Sequence, residues 1–292
     1  MKHQLPHIEF KSGEDSNFGF EIVPIEKIIT NKHKFDHDPE QPHQLKFYNL
    51  IFFTEGTGRH FVDFEWYTVN KNSLLYLTKE QVNAFEFKST LKGYCLVFSE
   101  RFFVNSFAHL PNDFVFRLFN PQLFSPLIQI PEDSEFKTYF KLLQQEYNRK
   151  QIFNHKAIVE SLFIILLSKA EQLKQHQTKH IKESSQLRLF QRFTRKLDDQ
   201  FTFQRSAEYY AQELAVSYKH LNYVCKALIN KTAKQVINDF IILQAKRNLI
   251  NSNLKSSELA YKLGFEAPTN FTKYFKKYTG LTPNSFKKSI KK

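Results

Sequence analysis

A chain of 292 residues is long enough for two domains that each bury a core, and a hydrophobic content of 41% excludes a disordered polypeptide. No run approaches the roughly 20 uncharged apolar residues of a membrane span, and the first residues lack an apolar signal core, so we expect a cytoplasmic protein. The net charge of +13 lies wholly in residues 185–292, which carry 20 basic and 7 acidic side chains. Residues 1–184 carry 22 of each and are neutral overall. Such a concentration of positive charge is typical of a phosphate-binding domain or of a solvated basic tail.

The N-terminal half is predicted to consist of β-strands. Between about Phe18 and Phe103, short β-branched and aromatic runs alternate with turn residues, which is typical of antiparallel strands and hairpins. The predicted strands are Phe47–Phe53, His60–Val69 and Leu74–Leu77, with turns at residues 55–58 and 70–73.

Residues 136–149 and 154–173 carry apolar side chains at helical intervals instead. One stripe of the second helix is assigned to dimerisation, although such a stripe packs on its own domain at least as often. The stripe consists of Ile158, Leu162, Ile165 or Leu166, and Leu173, and Leu166 is the residue assigned to the interface. A polar stretch follows, so we expect a first domain at residues 1–174, a linker at 175–184 and a second domain at 185–292.

The second domain is predicted to be all helical, and two pairs of its helices share the helix-turn-helix plan. In the first pair, Ser217 is placed to cap the helix that turns Leu221 and Val224 inward. In the second pair, Gly264 supplies a left-handed residue at a helix end, and Pro268 begins the next helix. The seven predicted helices lie near residues 186–200, 206–213, 217–229, 232–250, 256–263, 268–278 and 283–290.

The helix from Thr232 to about Ile250 connects the two pairs. At ~1.5 Å per residue, its roughly 18 residues span about 27 Å. With the width of the flanking helices added, the two recognition helices are expected to stand about one DNA turn, ~34 Å, apart. This spacing suits entry into successive major grooves on one face of a duplex.

The segment LAYKLGFEAPTNFTKYFKKYTGLTP at residues 259–283 resembles the signature of the AraC/XylS family of bacterial regulators. The resemblance covers residues 186–290 and, more loosely, the N-terminal part. It implies base contacts from Lys219, Asn222, Tyr223, Thr269 and Lys273. Phosphate contacts are expected from Ser217, Lys226, Thr272, Lys276 and Lys277. Cys225, where the family usually has Phe, and Tyr223 depart from the family pattern, which bears on the sequence preference.

Residues 43–86 resemble the small cupin-type β-barrel that many members of this family place before the DNA-binding part. The matching segments are Phe52–Gly58, Lys71–Leu77 and Gln81–Asn83. Such a barrel is expected to hold one small effector among aromatic side chains, or else to be filled by those rings. The expected pocket residues are Tyr48, Phe52, Trp66, Tyr76 and Phe85.

No metal or other cofactor is expected in this barrel. Asn83 stands where the cupin pattern usually has its last histidine, and a divalent metal needs three or four convergent ligands. His33, His37 and His43 lie in the polar segment KHKFDHDPEQPH and are interpreted as surface residues. A cupin-type metal-dependent enzyme with an accessory DNA-binding domain is the alternative, and the missing histidine argues against it.

Together these features predict an α+β protein with a cupin-like β-barrel, a helical dimerisation segment and an all-α double helix-turn-helix domain of seven helices. We expect a homodimeric, non-enzymatic transcriptional regulator that binds double-stranded promoter DNA sequence-specifically and responds to a small-molecule effector. No catalytic residue and no membrane association are assigned. The resemblance also implies a contact with RNA polymerase. A DNA-binding adaptor without a ligand pocket is a further alternative.

Overall fold

The computed structural model describes residues 6–10, 18–87, 90–108, 119–120, 122–123, 125–149, 153–177, 185–252 and 254–290. Contacts among these residues divide the chain into two compact units, one formed by the described residues up to Gln177 and the other by those from Ser185 onward. The first unit is built on β-sheets and the second is all helical. This arrangement confirms the predicted α+β class.

The first unit contains ten strands and four α-helices among its described residues. The strands are β1 (His7–Ile8), β2 (Phe20–Pro24), β3 (His43–Leu45), β4 (Tyr48–Glu55), β5 (Thr57–Val62), β6 (Glu65–Asn70), β7 (Ser73–Leu77), β8 (Val82–Glu86), β9 (Lys92–Phe98) and β10 (Leu127–Gln129). The helices are α1 (Ile25–Thr30), α2 (Glu100–Phe107), α3 (Phe136–Tyr147) and α4 (His155–Gln177).

Two five-stranded sheets face each other and form the cupin-like barrel. One sheet has the order β1-β3-β8-β5-β6 and the other β10-β7-β4-β9-β2. Because successive side chains of a strand point to opposite faces, each sheet sends alternate residues into the space between them. There, Ile51 and Phe53 of β4 pack in one core with Val62 of β5 and Phe85 of β8.

The second sheet is also covered on its outer face, by helices α2, α3 and α4. Phe52 of β4 points to that side, where its ring lies 5.2 Å from that of Phe136 and 5.1 Å from that of Phe140, both on α3. Phe163 of α4 is fully buried in the same core. Since both faces of this sheet are covered, residues 49–53 are buried without alternation.

The structure corrects the predicted strand His60–Val69, which is a hairpin of β5 and β6. Asp63 and Phe64 have φ angles of 46° and 76° and form the turn. Neither is glycine, so the sequence carries no strong turn signal there. The Asp63 carboxylate holds the turn by accepting hydrogen bonds from the Gln81 side chain at 2.9 Å and the Val82 N–H at 3.2 Å. The stretch from about Phe18 to Phe103, for which the sequence predicts strands and hairpins, also contains helix α1 and the start of helix α2.

The second unit contains seven helices among its described residues, as predicted. They are α5 (Ser185–Gln200), α6 (Ala207–Glu213), α7 (Tyr218–Ile229), α8 (Ala233–Asn251), α9 (Ser256–Lys262), α10 (Pro268–Thr279) and α11 (Pro283–Ile290). Hydroxyl side chains cap the starts of α6, α7 and α8, and left-handed residues end α7 and α10. None of the described helices has the length and apolar character that a membrane span needs.

Candidate DNA-binding surface and effector cavity

Helix α7 has one buried face and one exposed face. Its first turn is fixed by Ser217, whose Oγ accepts a hydrogen bond from the N–H of His220 at 3.1 Å. The buried face consists of Leu221, Val224 and Cys225. The exposed face includes Lys219, Tyr223 and Lys226. These three residues therefore lie on the outer surface, as the helix-turn-helix pattern predicts.

Asn222 lies at the edge of this surface and is half-buried. Its Oδ1 accepts a hydrogen bond from the backbone N–H of Ala233, the first residue of α8, at 2.9 Å. The first N–H groups of a helix have no partner within it, so this bond caps α8 and ties α7 to it. The base contact predicted for Asn222 is then left to its Nδ2 group and to the second lone pair of Oδ1.

Helix α10 presents the second exposed face. Gly264, which precedes it, has a φ of 77°, and a Cβ there would overlap the carbonyl oxygen of Thr202, so this turn requires glycine. Pro268 occupies the first turn of the helix, where its missing N–H has no cost. Phe271 and Phe275 are fully buried. The exposed face consists of Thr269, Asn270, Lys273, Lys276 and Lys277.

Two hydroxyl residues that the sequence assigns to phosphates have local partners. Ser217 accepts a hydrogen bond at its helix cap, which leaves its hydroxyl hydrogen for donation to a phosphate. Thr272 is half-buried and donates its hydroxyl hydrogen to the carbonyl oxygen of Pro268 at 3.0 Å. Since a hydroxyl carries one hydrogen, this bond argues against Thr272 as a phosphate donor.

A polar cluster that the sequence pattern does not predict joins α10 to α8. Asn238 of α8 is 5% exposed; its Oδ1 accepts from the Tyr274 hydroxyl at 2.9 Å, and its Nδ2 donates to the Tyr278 hydroxyl oxygen at 2.7 Å. Burial raises the pKa of Tyr274, which keeps its hydroxyl protonated. The cluster therefore fixes the second recognition helix on the helix that connects the two pairs.

Helix α8 acts as the spacer between the two exposed faces. Its 19 residues make a rod of about 28 Å at ~1.5 Å per residue. The side chains of Val236, Ile237 and Ile241 on this helix are buried in the core of the unit. Because Asn222 and Asn238 tie α7 and α10 to the same rigid helix, the spacing of the two exposed faces is built into the fold.

The first unit contains a cavity of about 490 Å³. Its apolar walls include Phe10, Phe47 and Phe85. Among its polar lining residues are His43, Asn49 and Asn83. A cavity of this size, mostly apolar with a few polar groups, has the dimensions of a small-molecule site.

Comparison with protein families agrees with this geometry. The family described as an AraC-like ligand binding domain matches residues 25–162, and the family described as a helix-turn-helix domain matches residues 210–289. The chain belongs to the AraC family. It is a DNA-binding transcriptional regulator with a ligand-binding domain for a small-molecule effector, as the sequence predicts.

Several solved structures resemble this AraC-family regulator. ToxT from Vibrio cholerae is 14% identical, with a match that covers 93% of this chain and 98% of ToxT at a TM-score of 0.46. The AraC-like transcriptional activator CuxR is 12% identical over 71% of this chain and 68% of its own, at a TM-score of 0.31. The C-terminal domain of the response regulator YesN from Fusobacterium nucleatum is 24% identical over 32% of this chain and 93% of that domain, also at 0.31. No curated protein sequence matches the chain significantly.

Of the five effector-pocket residues expected from the sequence of this AraC-family chain, only Phe85 lines the cavity. The other four are Tyr48, Phe52, Trp66 and Tyr76. Tyr48 and Phe52 share the β4 face that packs against the helices, and Tyr76 of β7 lies in the same core. Trp66 is 49% exposed. Both faces of this sheet are covered and carry aromatic residues, so aromatic content does not distinguish the face toward the cavity from the face toward the helices. Nor does it indicate that Asn49, on the opposite face of β4, lines the cavity.

The interpretation of His43 as a surface residue of this regulator is wrong. His43 lies in β3 and is 3% exposed, and its Nδ1 donates a hydrogen bond to the Gln41 carbonyl oxygen at 2.9 Å. Burial lowers the pKa of His43 to about 4, so the ring is neutral and its Nε2 is an acceptor. His33 is exposed, and His37 is half-buried with its ring 4.7 Å from that of His43.

His60 of β5 is a buried histidine that the sequence reasoning did not single out. It is fully buried, its ring packs on that of Phe85 at 4.6 Å, and burial lowers its pKa to about 3. In the part of the chain that the structure describes, no three His, Cys, Asp or Glu side chains come close enough to hold a metal ion.

The predicted dimerisation stripe of α4 is only partly exposed. Leu166 is fully buried, and Leu162 and Leu173 pack partly against the core of their own unit. Two large apolar residues are exposed in the described part of this helix: Ile158 of the stripe, at 40%, and Ile165, at 38%. The choice of Leu166 over Ile165 was wrong because α4 is apolar on nearly all sides between residues 158 and 167, which leaves its helical phase ambiguous.

Proposed function

We propose that this regulator binds promoter DNA with α7 and α10 in successive major grooves. The observation that carries the proposal is that each helix buries one face in the unit and exposes a face with lysines, within a domain that holds the whole net charge of +13. A basic exposed helix face suits phosphates and the acceptor-rich edge of guanine. Bases are contacted by Lys219, Tyr223, Thr269 and Lys273, with Asn222 contributing through Nδ2. Phosphates are contacted by Ser217, Lys226, Lys276 and Lys277.

The proposed regulator is a homodimer that uses the exposed apolar surface of α3 and α4. Leu142 of α3 is 44% exposed, comparable to Ile158 and Ile165 of α4. Leu162, one turn from each of these isoleucines, is half-buried. Apolar side chains gathered on one helix face favour association over exposure to water. We assign this surface to the dimer; it keeps Ile158 and Leu162 of the sequence-based stripe and has Ile165 where the stripe has Leu166.

The cavity of the first unit is the proposed effector site, and the helical unit is the proposed reader of DNA. The expected place of action is the cytoplasm, where promoter DNA is accessible. A contact with RNA polymerase, which the family resemblance implies, belongs to the same proposal. The support for this division is the separation of a cavity-bearing β unit from a basic helical unit.

The DNA-binding assignment is tested with Lys273→Ala in the full chain. Affinity is measured for a site obtained by in-vitro selection, for its single-base variants and for a scrambled duplex. Loss of a base contact should cost ~1–3 kcal/mol at the selected site and relax the preference at one or two base pairs. Lys141→Ala, on an exposed position of α3, is the control with the same change of charge. An equal loss on selected and scrambled DNA would show that Lys273 does not read bases.

A further inference from the structure

Asn49 of β4 is an unusual residue for the wall of the cavity. It is 5% exposed, and its Oδ1 has no hydrogen-bond partner among the described residues. A buried carbonyl oxygen that has lost water and gained no donor is destabilising, whereas a leucine of similar size would fit the apolar surroundings. Asn49 therefore weakens the unliganded fold, and a donor that enters the cavity would remove the cost.

His43 adds a second acceptor to the same cavity. Its Nδ1 hydrogen is committed to the Gln41 carbonyl oxygen, so the neutral ring presents Nε2 as a lone pair. Asn83, a third polar lining residue, directs its Nδ2 to the backbone oxygen of His43 at 3.4 Å. The polar part of the cavity is thus rich in acceptors.

The charged residues around the cavity have a negative excess. Among the described residues, its lining includes the carboxylates of Glu9, Glu21 and Asp36 and a single lysine or arginine, Lys34. Glu9 and Asp36 are exposed and Glu21 is half-buried, so a carboxylate ligand would meet like charge that water partly screens, and it has no hydrogen to donate to the two acceptors. An amine or a hydroxyl group would meet no such repulsion.

The apolar walls of the cavity favour a ligand with an apolar body. The rings of Phe10 and Phe47 lie edge to face at 5.8 Å and line the cavity together with Phe85. Rings so arranged offer apolar surface that an aromatic or aliphatic body can cover.

We propose that the cavity binds a small molecule with an aromatic or aliphatic body and a hydroxyl or amine donor, and that it discriminates against carboxylates. An amine, which is protonated and has several hydrogens, donates to both Asn49 Oδ1 and His43 Nε2, a hydroxyl donates to one of them, and the body lies against the phenylalanine rings. This inference rests on the proposed effector role of the cavity and adds the chemical class of the effector.

The test uses 2-phenylethanol, 2-phenylethylamine and phenylacetate, which share a ring and a two-carbon chain but differ in the head group. Affinities for the full chain are measured by ligand-observed NMR. The alcohol and the amine should bind at least about tenfold more tightly than phenylacetate, as expected for one satisfied acceptor. Equal affinities, tighter binding of phenylacetate, or no binding of any probe would overturn the proposal.

Asn49→Leu links the ranking to the named residue. It should weaken the alcohol and the amine about tenfold and raise the Tm of the unliganded chain by about 2–4 °C, because it removes a buried oxygen without a partner. Tyr76→Phe is the matched control: it removes another buried oxygen without a partner, from the opposite face of the same sheet, and should leave all affinities unchanged. If the order of the three affinities is the same in Asn49→Leu as in the wild type, Asn49 does not bind the donor. If the variant fails to fold, the order of affinities in the wild type still decides the ligand class.

The DNA affinity of the same chain is measured separately with and without 2-phenylethylamine. Failure to bind DNA would refute the proposed function, while the probe ranking would still decide the ligand class. Selective probe binding with unchanged DNA affinity would support the ligand class and refute effector control of DNA binding.

Discussion

Replacement of Asn238 by alanine should destabilise the helical unit by up to about 2 kcal/mol. The side chain is 5% exposed and bonds to the hydroxyl groups of Tyr274 at 2.9 Å and Tyr278 at 2.7 Å. Each neutral hydrogen bond contributes about 1 kcal/mol, and the half-buried Tyr274 would lose its acceptor. Tyr278 is 40% exposed and can bond to water instead, so about 2 kcal/mol is an upper value.

The chain offers a way to separate the unfolding of its two units. Its one tryptophan, Trp66, lies in β6, so tryptophan fluorescence follows the first unit, whereas far-ultraviolet circular dichroism also detects the seven helices of the second. In a urea titration, Asn238→Ala should move the helical transition by about 1 M and leave the fluorescence transition in place. Tyr278→Phe, which removes one partly exposed bond, should shift it by less than half as much. A shift that corresponds to under about 0.5 kcal/mol, or an equal shift in fluorescence, would refute the anchoring role of Asn238.

Three further predictions concern other parts of the molecule. Asn222→Ala should cost about 1 kcal/mol of stability through the lost cap on Ala233, while Asn222→Asp keeps the acceptor and should be at least as stable as the wild type; equal losses in both variants would contradict the cap. Ile158→Asp with Ile165→Asp should give folded monomers by sedimentation, and a dimer that persists would place the interface elsewhere. Burial lowers the pKa of His43 to about 4 from an ordinary 6.5. As the pH falls, the imidazole of His43 is therefore protonated in the unfolded chain at a higher pH than in the folded chain. Stability of the first unit should therefore be complete above pH 6.5 and fall as the pH drops toward 4, by up to about 3 kcal/mol from His43, with a further loss in the same direction from the buried His60. Urea titrations followed by Trp66 at several pH values check this, and a pH-independent midpoint between pH 7 and 5 would contradict it.

The helical unit was largely predictable because its signals are local. Ser217 predicts the start of α7 by capping a backbone N–H three residues on, and Gly264 predicts the turn before α10 through its own positive φ. Hydrophobic periodicity then separates the buried face of each helix from the exposed one. The bonds made by Asn222 and Asn238 could not be predicted, since they join residues 11 and 36 to 40 positions apart.

The β unit was less predictable because its layers are set by long-range packing. An apolar strand such as β4 gives no indication of which alternate residues face the other sheet and which face helices. The expected pocket therefore included Tyr48 and Phe52, which lie on the helical side, and omitted Asn49, which lines the cavity. The turn at Asp63 was missed for a related reason, since its carboxylate is held by partners 18 and 19 residues away.

The claim that both recognition helices enter the major groove is tested most directly by methylation protection of guanine N7 on a selected site. This atom lies in the major groove, so its protection reports an inserted helix. Because α8 is a spacer of about 28 Å, we expect each copy of the chain to protect two clusters of guanines on one face of the duplex. The two clusters should lie about one helical turn, ~10 base pairs, apart. Lys219→Ala should weaken one cluster and Lys273→Ala the other. A single protected cluster, or protection in the minor groove alone, would contradict the account.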